Sequence, residues 1–295
     1  MASDLLSFIV DPEEGDTSLH LAALSGDVLK VRQLLCSDSG RNLINARMRP
    51  FGATPLRLAS SAGNVECMQE LLKNGAYVDL VDIKAQTPLF VAVYNNKLES
   101  CELLLKSGAN PNGDRRNLVA PLHVACQNGS APAVQLLLQH GCAVEGALTH
   151  PLHVAATYGH MNCFILLLLH GAKTSLAEYA VGQPSIVPIL AKNKSNPLFL
   201  RLWVLFGGSL WYNDSTGKRV FVDVEEGPLI EVLHNLKTFP LSLKCQSRIK
   251  IWKLIQYDVL KHINSLGLPK TLVNYLGFRD IPEIDNCFAF LEKCL

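Results

Sequence analysis

The sequence predicts an all-α fold: a solenoid of stacked helix-turn-helix repeats with β-turn fingers between them, followed by a small domain of three helices. Three observations lead to this prediction. A Pro-Leu-x-x-Ala motif recurs at a spacing of about 33 residues, and a glycine stands sixteen residues after the closing alanine of each motif. In addition, hydrophobic residues make up 48% of the 295 residues while aromatic residues make up only 7%. Small aliphatic side chains must therefore fill the core, as expected for many short stacked helices.

The repeated motif begins a helix in each unit. It stands at residues 54–59, 87–92, 120–125 and 150–155. In the first two copies a threonine precedes the proline, where its hydroxyl can cap the helix, and the proline occupies the first helical turn, where its missing N–H has no cost. The four closing glycines are predicted to end the second helix of each unit. They are Gly75, Gly108, Gly141 and Gly171.

Glycines and polar stretches predict the remaining parts of each unit. Gly63, Gly129 and Gly159 are placed to separate the two helices of a pair. The polar stretches 77–86 and 110–118 are predicted to form β-turn fingers that connect one unit to the next. A helix pair this small cannot bury its apolar face alone, so neighbouring units must stack.

Two less regular units extend the array at its ends. An earlier motif stands at residues 17–22, and the link 36–53 to its successor is about four residues longer than the other links. A sixth, degenerate unit is predicted to end at residues 207–208. The predicted boundaries are an N-terminal segment at 1–15, about six repeats at 16–210, a linker at 211–239, a helical domain at 240–276 and a tail at 277–295.

The repeats resemble ankyrin repeats, whose T-P-L-H-x-A signature recurs at the same period. The resemblance implies a protein-binding scaffold whose concave surface consists of the finger tips and the first helix of each pair, with a protein target that the sequence does not name. Transferred to this chain, the implied contact residues are Arg47, Arg49, Phe51, Ile83, Lys84, Tyr94, Asn95, Arg116, Gln127, Asn128, Thr157 and Tyr158.

The C-terminal region carries a second pattern. Pro240 is followed by Leu241, Cys245 and Ile249, whose spacing of four residues gives one apolar stripe on a helix. The pattern is similar to the first element of the SOCS (suppressor of cytokine signalling) box, a module of three helices. The resemblance implies that these residues bind elongin B/C, with Leu241 entering an apolar pocket of elongin C.

The second element of the SOCS box resembles residues 266–269. Leu266, Gly267, Leu268 and Pro269 stand where the family has Leu-Pro-aliphatic-Pro, the element that selects cullin 5 together with its RING-box protein. Glycine replaces the first proline in this chain. Because glycine adds backbone entropy where proline would fix the turn, the substitution leaves open whether cullin binding is weakened or cullin choice is relaxed.

Ankyrin repeats followed by a SOCS box resemble the ankyrin repeat and SOCS box family. The resemblance implies a non-catalytic substrate receptor of an elongin B/C–cullin 5–RING E3 ubiquitin ligase, which would direct its target to ubiquitination and proteasomal degradation. The alternative is an ankyrin scaffold or inhibitor that sequesters a partner without degrading it.

The net charge and the N-terminal sequence limit which other partners and locations are expected. Lys and Arg number 27 against 26 Asp and Glu, so the net charge of +1 does not favour nucleic acid or an anionic membrane. The lysines and arginines within 240–276 are interpreted as lying on helix faces that contact solvent or a partner. The N-terminus lacks the pattern of a signal peptide, and the longest apolar run, 164–169, is too short to span a membrane. We expect a cytoplasmic protein with reduced cysteines, and leave the nucleus open as a further location.

Candidate metal-binding pairs do not form a convincing site. His123 with Cys126 and His150 with His153 have suitable spacing, but the repeat frame explains most of these histidines. The sequence has no H-E-x-x-H motif and no C-x-x-C pair. We therefore predict no metal, no cofactor and no catalytic residue, with a zinc-dependent enzyme as the third alternative.

Overall fold

A computed structural model of the protein describes residues 16–145, 150–174, 186–192, 198–213, 219–221, 246–247, 250–251, 268–278, 281–282, 285–286 and 289. These residues fall into two compact units. The first unit comprises the described residues up to Asn128 together with Gln135–Ala143, and the second comprises Gly129–Val134 and the described residues from Val144 onward. Among the described residues, no helix is long and apolar enough to cross a membrane.

Helix pairs make up the first unit, as the repeat motif predicts. Its helices are α1 (Ser18–Ser25), α2 (Val28–Leu35), α3 (Asp38–Asn42), α4 (Pro55–Ala62), α5 (Val65–Lys73), α6 (Pro88–Tyr94), α7 (Leu98–Lys106) and α8 (Pro121–Gln127). The first helices of successive pairs contact one another in the order α1, α4, α6 and α8, and the second helices do so in the order α2, α5 and α7. Helix α9 (Ala131–Gln139) follows. Because successive helix pairs stack on one another in chain order, the first unit is the predicted solenoid.

Threonine caps explain why two of these helices begin where they do. Thr54 Oγ1 accepts a hydrogen bond from Arg57 N at 3.2 Å, and Thr87 Oγ1 accepts one from Phe90 N at 3.1 Å. Proline follows each threonine within the first helical turn. At Ala120 the backbone has nearly the same conformation as at Thr87, but no side chain caps the helix. The sequence motif is thus a start signal whose threonine is absent from the later copies.

The missing cap predicts a stabilising substitution. Ala120→Thr is expected to raise the free energy of unfolding by about 1 kcal/mol, because the new hydroxyl can accept a bond from a first-turn amide of α8, as Thr87 Oγ1 does from Phe90 N in α6. Urea unfolding followed by circular dichroism measures the change. Ala120→Val is the matched control, since valine has the shape of threonine without its hydroxyl. An equal gain in both variants would show that capping is not the cause.

Side-chain acceptors connect the fingers of adjacent repeats in a regular series, which we call the acceptor ladder. In the first unit Asn45 Oδ1 accepts from Tyr77 N at 2.8 Å, Asp79 Oδ2 accepts from Asn110 N at 3.0 Å, and Asn112 Oδ1 accepts from Ala143 N at 2.8 Å. In the second unit Glu145 Oε1 accepts from Lys173 N at 2.8 Å. Each finger is thereby fixed to the start of the next.

The second unit continues the helical architecture. Its helices are α10 (Pro151–Thr157), α11 (Met161–Leu169), α12 (Val187–Lys192), α13 (Leu198–Leu205) and, later in the chain, α14 (Lys270–Leu276). Helix α10 contacts α11 and α12, and α13 contacts α11 and α12. The fully buried rings of Phe164 and Phe199 meet edge to face, with 5.0 Å between their centroids. Helices α12 and α13 lie within the range of the predicted degenerate sixth repeat, whose assignment as a repeat stays a prediction.

Two features of the second unit were not predicted. A short antiparallel ladder pairs β1 (Trp211–Asn213) with β2 (Arg219–Phe221), within the stretch that the sequence interpretation assigned to a linker. Tryptophan, tyrosine, valine and phenylalanine favour strands, which accounts for this addition to an otherwise all-α fold. In addition, the ring of Phe278 stacks on Phe206 at a centroid distance of 4.2 Å, and Phe278 is almost fully buried. The start of the predicted tail is therefore anchored by an aromatic contact.

The described cysteines are mostly buried side chains of the repeats. Cys67, Cys101, Cys126, Cys142 and Cys163 are buried thiols, and Cys36 is exposed; none of these six forms a disulfide. Burial raises the pKa of the Cys101 and Cys142 thiols to about 12. These two thiols are therefore protonated near neutral pH and act as small apolar side chains in the core.

Candidate protein-binding site

The residues that the ankyrin resemblance implies as contacts all lie on the protein surface. Ten of them belong to the first unit, and Thr157 and Tyr158 belong to the second. The large side chains among them are exposed to an unusual degree: 54% for Phe51, 67% for Ile83, 64% for Tyr94 and 55% for Tyr158. Exposed aromatic and aliphatic side chains of this size are typical of protein interfaces.

The finger between the first two repeats is a tight hairpin. Met48 N donates to Ala53 O at 2.9 Å, and Gly52 N donates to Met48 O at 2.8 Å. Gly52 has a φ of +68°, a conformation that glycine adopts without strain. The hairpin holds Arg49 and Phe51 at its tip, where both are exposed.

The next finger is organised by a buried ion pair. Asp82 Oδ1 accepts from the backbone amides of Lys84 at 2.9 Å and Gln86 at 2.8 Å, while Asp82 Oδ2 lies 2.8 Å from a guanidinium nitrogen of Arg57. The Arg57 and Asp82 side chains are only 15% and 2% exposed. Burial lowers the pKa of Arg57 and its attraction to Asp82 opposes this shift. The pair fixes the turn that carries Ile83 and Lys84.

The two fingers meet at their tips. Ile83 N donates to Phe51 O at 3.1 Å, which brings two exposed apolar residues together. Three exposed cations belong to the same two fingers. We call Arg47, Arg49, Phe51, Ile83 and Lys84 the tip patch.

The third finger has a different charge balance. Arg116 Nε donates to Asp114 Oδ1 at 2.9 Å, and a second guanidinium nitrogen donates to Asp114 Oδ2 at the same distance. The side-chain hydrogen bonds from Arg116, with that from its backbone amide, lower the pKa of Asp114 to about 2. Because the two charges offset each other, Arg116 offers a partner less positive charge than the cations of the tip patch do.

Two predicted contact residues also have structural roles. Asn95 Nδ2 donates to Ser61 O at 3.1 Å and to Ser61 Oγ at 2.8 Å, and Asn128 Nδ2 donates to Tyr94 O at 3.1 Å. Both asparagines are exposed nonetheless. They therefore connect neighbouring first helices as well as facing solvent.

Several histidines lie in the same helix pair of the second unit as its two predicted contact residues. Tyr158 stacks on His160, with 6.2 Å between ring centroids, and Thr157 Oγ1 donates to His153 O at 2.8 Å. Burial, with the nearby His150, lowers the pKa of His153 to about 4, so this side chain is neutral near pH 7. His150 Nδ1 lies 2.8 Å from Glu145 Oε2. Within the described part of the chain, no three metal-binding side chains come together as a site.

Comparison with known protein families identifies both the repeats and the C-terminal segment of the chain. The family model for ankyrin repeats (3 copies) matches residues 19–115 and 113–178, which is more than half of the chain. The family model for the SOCS box matches residues 239–276. The chain belongs to the ankyrin repeat and SOCS box family.

Individual members of the ankyrin repeat and SOCS box family are similar over a limited segment. Ankyrin repeat and SOCS box protein 1 of Homo sapiens is 45% identical over 76 residues, which is 24% of this chain and 23% of the relative. Ankyrin repeat and SOCS box protein 12 of Homo sapiens is 42% identical over 84 residues, which is 26% of this chain and 27% of the relative. The aligned segments thus span about a quarter of the length of these relatives.

A solved structure from this family has a similar fold. The crystal structure of the human ASB11 ankyrin repeat domain superposes with a TM-score of 0.62 at 25% sequence identity. The superposition covers 77% of this chain and 100% of the domain. The predicted ankyrin-repeat solenoid is therefore confirmed.

The SOCS-box residues predicted from the sequence are only partly within the described structure. Pro240, Leu241, Cys245, Ile249, Leu266 and Gly267 lie outside the described residues. Leu268 is half-buried and Pro269 is exposed, and Pro269 O accepts from Leu272 N at 2.8 Å and Val273 N at 3.0 Å at the start of α14. The assignment of the predicted SOCS-box residues to elongin or cullin contacts stays a prediction.

Sequence reasoning missed three sets of residues that position this surface. The Arg57–Asp82 pair joins a first helix to the following finger, and Asn64 Nδ2 donates to Ala23 O and Leu24 O, both at 2.9 Å. The acceptor ladder was missed as well, although its members recur with the period already used to find the repeats.

Proposed function

We propose that this chain is the substrate-recognition adaptor of an elongin B/C–cullin–RING E3 ubiquitin ligase of the cullin 5 type. In this proposal the ankyrin repeats bind a protein target and the SOCS box recruits elongin B/C and the cullin with its RING-box protein. The observation that carries the proposal is the SOCS-box match at residues 239–276, placed after the ankyrin repeats. The chain itself would be non-catalytic and would act in the cytoplasm or nucleus.

The proposed elongin contact is that of an amphipathic helix bound in an apolar groove of the partner. Leu241, Cys245 and Ile249 are spaced by four residues, a spacing that would place them on one face of a helix in this proposal. A leucine can fill an apolar pocket of the partner, while cysteine at the central position is small enough to permit close approach. A charged side chain at position 241 or 245 would be buried without a counter-charge in such a contact, at a large cost in binding free energy.

The adaptor would contribute proximity rather than chemistry. Binding the target on the repeats and the ligase on the box converts the encounter of a target lysine with the ubiquitin-loaded enzyme into a step within one complex. The local concentration of that lysine then depends on the geometry of the adaptor.

The cullin assignment rests on residues 266–269. Pro269 is exposed at the start of α14, and Leu268 before it is half-buried, so both have surface that a partner can contact. Gly267 stands where the family element has proline. Cullin 5 is nevertheless the proposed cullin, because the leucines and the final proline of the element are retained.

Co-purification with elongin B/C tests the proposal. The full chain is co-expressed with tagged elongin B and elongin C, and the captured complex is incubated with cullin 5 and its RING-box protein. The wild type is expected to be captured and to bind cullin 5, whereas Leu241→Asp/Cys245→Asp is expected to lose at least nine-tenths of the captured chain.

Leu118→Asp is the control for this experiment, because Leu118 is 70% exposed on the third finger. It is expected to be captured like the wild type, and circular dichroism checks that all variants are folded. Failure of the wild type to bind elongin B/C, or equal capture of the double variant, would favour a sequestering scaffold instead. Binding of another cullin in preference to cullin 5 would overturn the cullin assignment alone.

A further inference from the structure

We propose that the tip patch (Arg47, Arg49, Phe51, Ile83 and Lys84) binds an acidic linear segment of a protein, with an aliphatic or aromatic side chain among its carboxylates. That this segment belongs to a ligase target rests on the proposed function. The binding itself depends only on the residues of the patch.

The apolar part of the patch is a single spot built from two fingers. Phe51 and Ile83 are 54% and 67% exposed, and the 3.1 Å hydrogen bond from Ile83 N to Phe51 O places them side by side. Gly52 lies against Ile83, because a Cβ at position 52 would be 3.4 Å from Ile83 Cγ2. The exposed apolar area is therefore continuous across the two tips and can receive one side chain of a partner.

The carboxylates of the two fingers are engaged by groups other than the cations of the patch. Residues 43–53 contain no aspartate or glutamate. In the second finger, Asp82 is buried against Arg57, and Asp79 accepts the backbone amide of Asn110. Within the described structure, no ion pair involves Arg47, Arg49 or Lys84. Three exposed cations thus lie on the same two fingers as the apolar spot, which favours a partner of opposite charge.

The patch is also held in place before any partner arrives. The hairpin bonds of residues 48–53 fix the first tip, and the bonds from Asp82 to Lys84 N and Gln86 N fix the second. A preformed surface avoids the entropic cost of ordering loops on binding. A short segment can therefore bind it with higher affinity than it would bind mobile loops.

A peptide fits this surface better than a nucleic acid does. Nucleic-acid binding relies on many phosphate contacts by an extended set of cations, whereas this patch has three and the whole chain carries a net charge of only +1. An acidic peptide with one apolar anchor satisfies both the cations and the apolar spot.

Peptide display on the full-length chain tests the proposal. A library of random twelve-residue peptides is selected on the immobilised protein, and the most enriched peptide is synthesised with a fluorescent label for anisotropy titrations. We expect enriched peptides to combine several Asp or Glu residues with Leu, Ile, Phe or Trp. Arg49→Glu/Lys84→Glu and Phe51→Ser/Ile83→Ser are each expected to weaken binding of the labelled peptide at least tenfold.

Matched variants on the second helices provide the controls. Lys30→Glu/Lys73→Glu makes the same change in charge on α2 and α5, and Leu29→Ser removes a side chain that is 76% exposed on α2. Both are expected to change the dissociation constant less than twofold.

Three outcomes would overturn the inference: no enrichment, enrichment of peptides without acidic residues, or equal weakening by the two charge-reversal variants. Tighter binding of a random single-stranded RNA than of the selected peptide would assign the patch to nucleic acid instead. Because the titration contains no elongin or cullin, its result is separate from the test of the ligase function.

Discussion

Replacing Asp82 by alanine is expected to lower the free energy of unfolding by about 3–5 kcal/mol, because it leaves the Arg57 guanidinium buried without its counter-charge. The two side chains are 15% and 2% exposed, so water cannot replace the lost carboxylate easily. The variant also loses the bonds from Asp82 to the amides of Lys84 and Gln86, which hold the second finger. Urea unfolding monitored by circular dichroism measures the loss.

Two further variants separate charge burial from other effects of this substitution. Glu102→Ala removes the carboxylate of an exposed pair with Lys106, whose side chains are 50% and 65% exposed, and is expected to cost less than about 1 kcal/mol. Arg57→Met/Asp82→Ala removes both buried charges and is expected to recover part of the stability lost in Asp82→Ala. Equal losses from Asp82→Ala and Glu102→Ala would contradict the role assigned to burial.

The largest effect in the second unit is expected for Phe164→Ala, which should cost about 3–5 kcal/mol. Phe164 is fully buried and its ring contacts Phe199 edge to face, so alanine leaves a cavity that the surrounding helices cannot fill. Hydrogen exchange of the α11 and α13 amides locates the loss, and urea unfolding gives its size.

The contribution of the ring pair itself can be isolated by a double-mutant cycle. Phe164→Leu, Phe199→Leu and the double variant should reveal a coupling of about 0.5–1.5 kcal/mol beyond the loss of buried area. Leu29→Ala is the control for a large residue at the surface, and it should change stability by no more than about 0.5 kcal/mol. Additive losses in the cycle would mean that the edge-to-face contact adds nothing to burial.

The repeat frame could be predicted from the sequence because its signals are local and periodic. Thr54 and Thr87 with their prolines mark helix starts, and Gly63 has the left-handed conformation, with φ of +88°, that ends a helix. At the equivalent point of the next repeat Asn96 has φ of +53°, which the glycine pattern alone did not indicate. Asparagine tolerates this conformation better than most residues.

Structural features that do not repeat along the chain were not predicted from the sequence. Helix α3 lies in the long first link, where Ser37 Oγ accepts from Gly40 N at 3.1 Å, and no second copy of this segment exists in the sequence to draw attention to it. The repeat pattern also does not predict the Arg57–Asp82 pair, because position 57 holds arginine where other repeats have phenylalanine or histidine. Its partner lies in the following finger, well separated along the chain, so only the fold brings the two together.

The candidate binding surface was predictable as a set of positions but not in its physical character. Family resemblance placed all twelve residues on the surface, since the ankyrin frame determines which positions face outward. It could not show that Arg116 is offset by Asp114 while, in the described part of the chain, Arg47, Arg49 and Lys84 form no ion pair. That distinction arises from side-chain hydrogen bonds, which depend on the local turn geometry.

The acceptor ladder has a consequence for how such a chain can change in length during evolution. Asp79 and Asn112 occupy equivalent positions in successive repeats, and each binds an amide at the same place in the following repeat. Loss or duplication of one whole repeat therefore joins an acceptor to an equivalent donor, whereas a segment of any other length separates them. The ladder thus favours unequal recombination in whole-repeat steps, and a protein built this way can lengthen its recognition surface without redesigning the junctions.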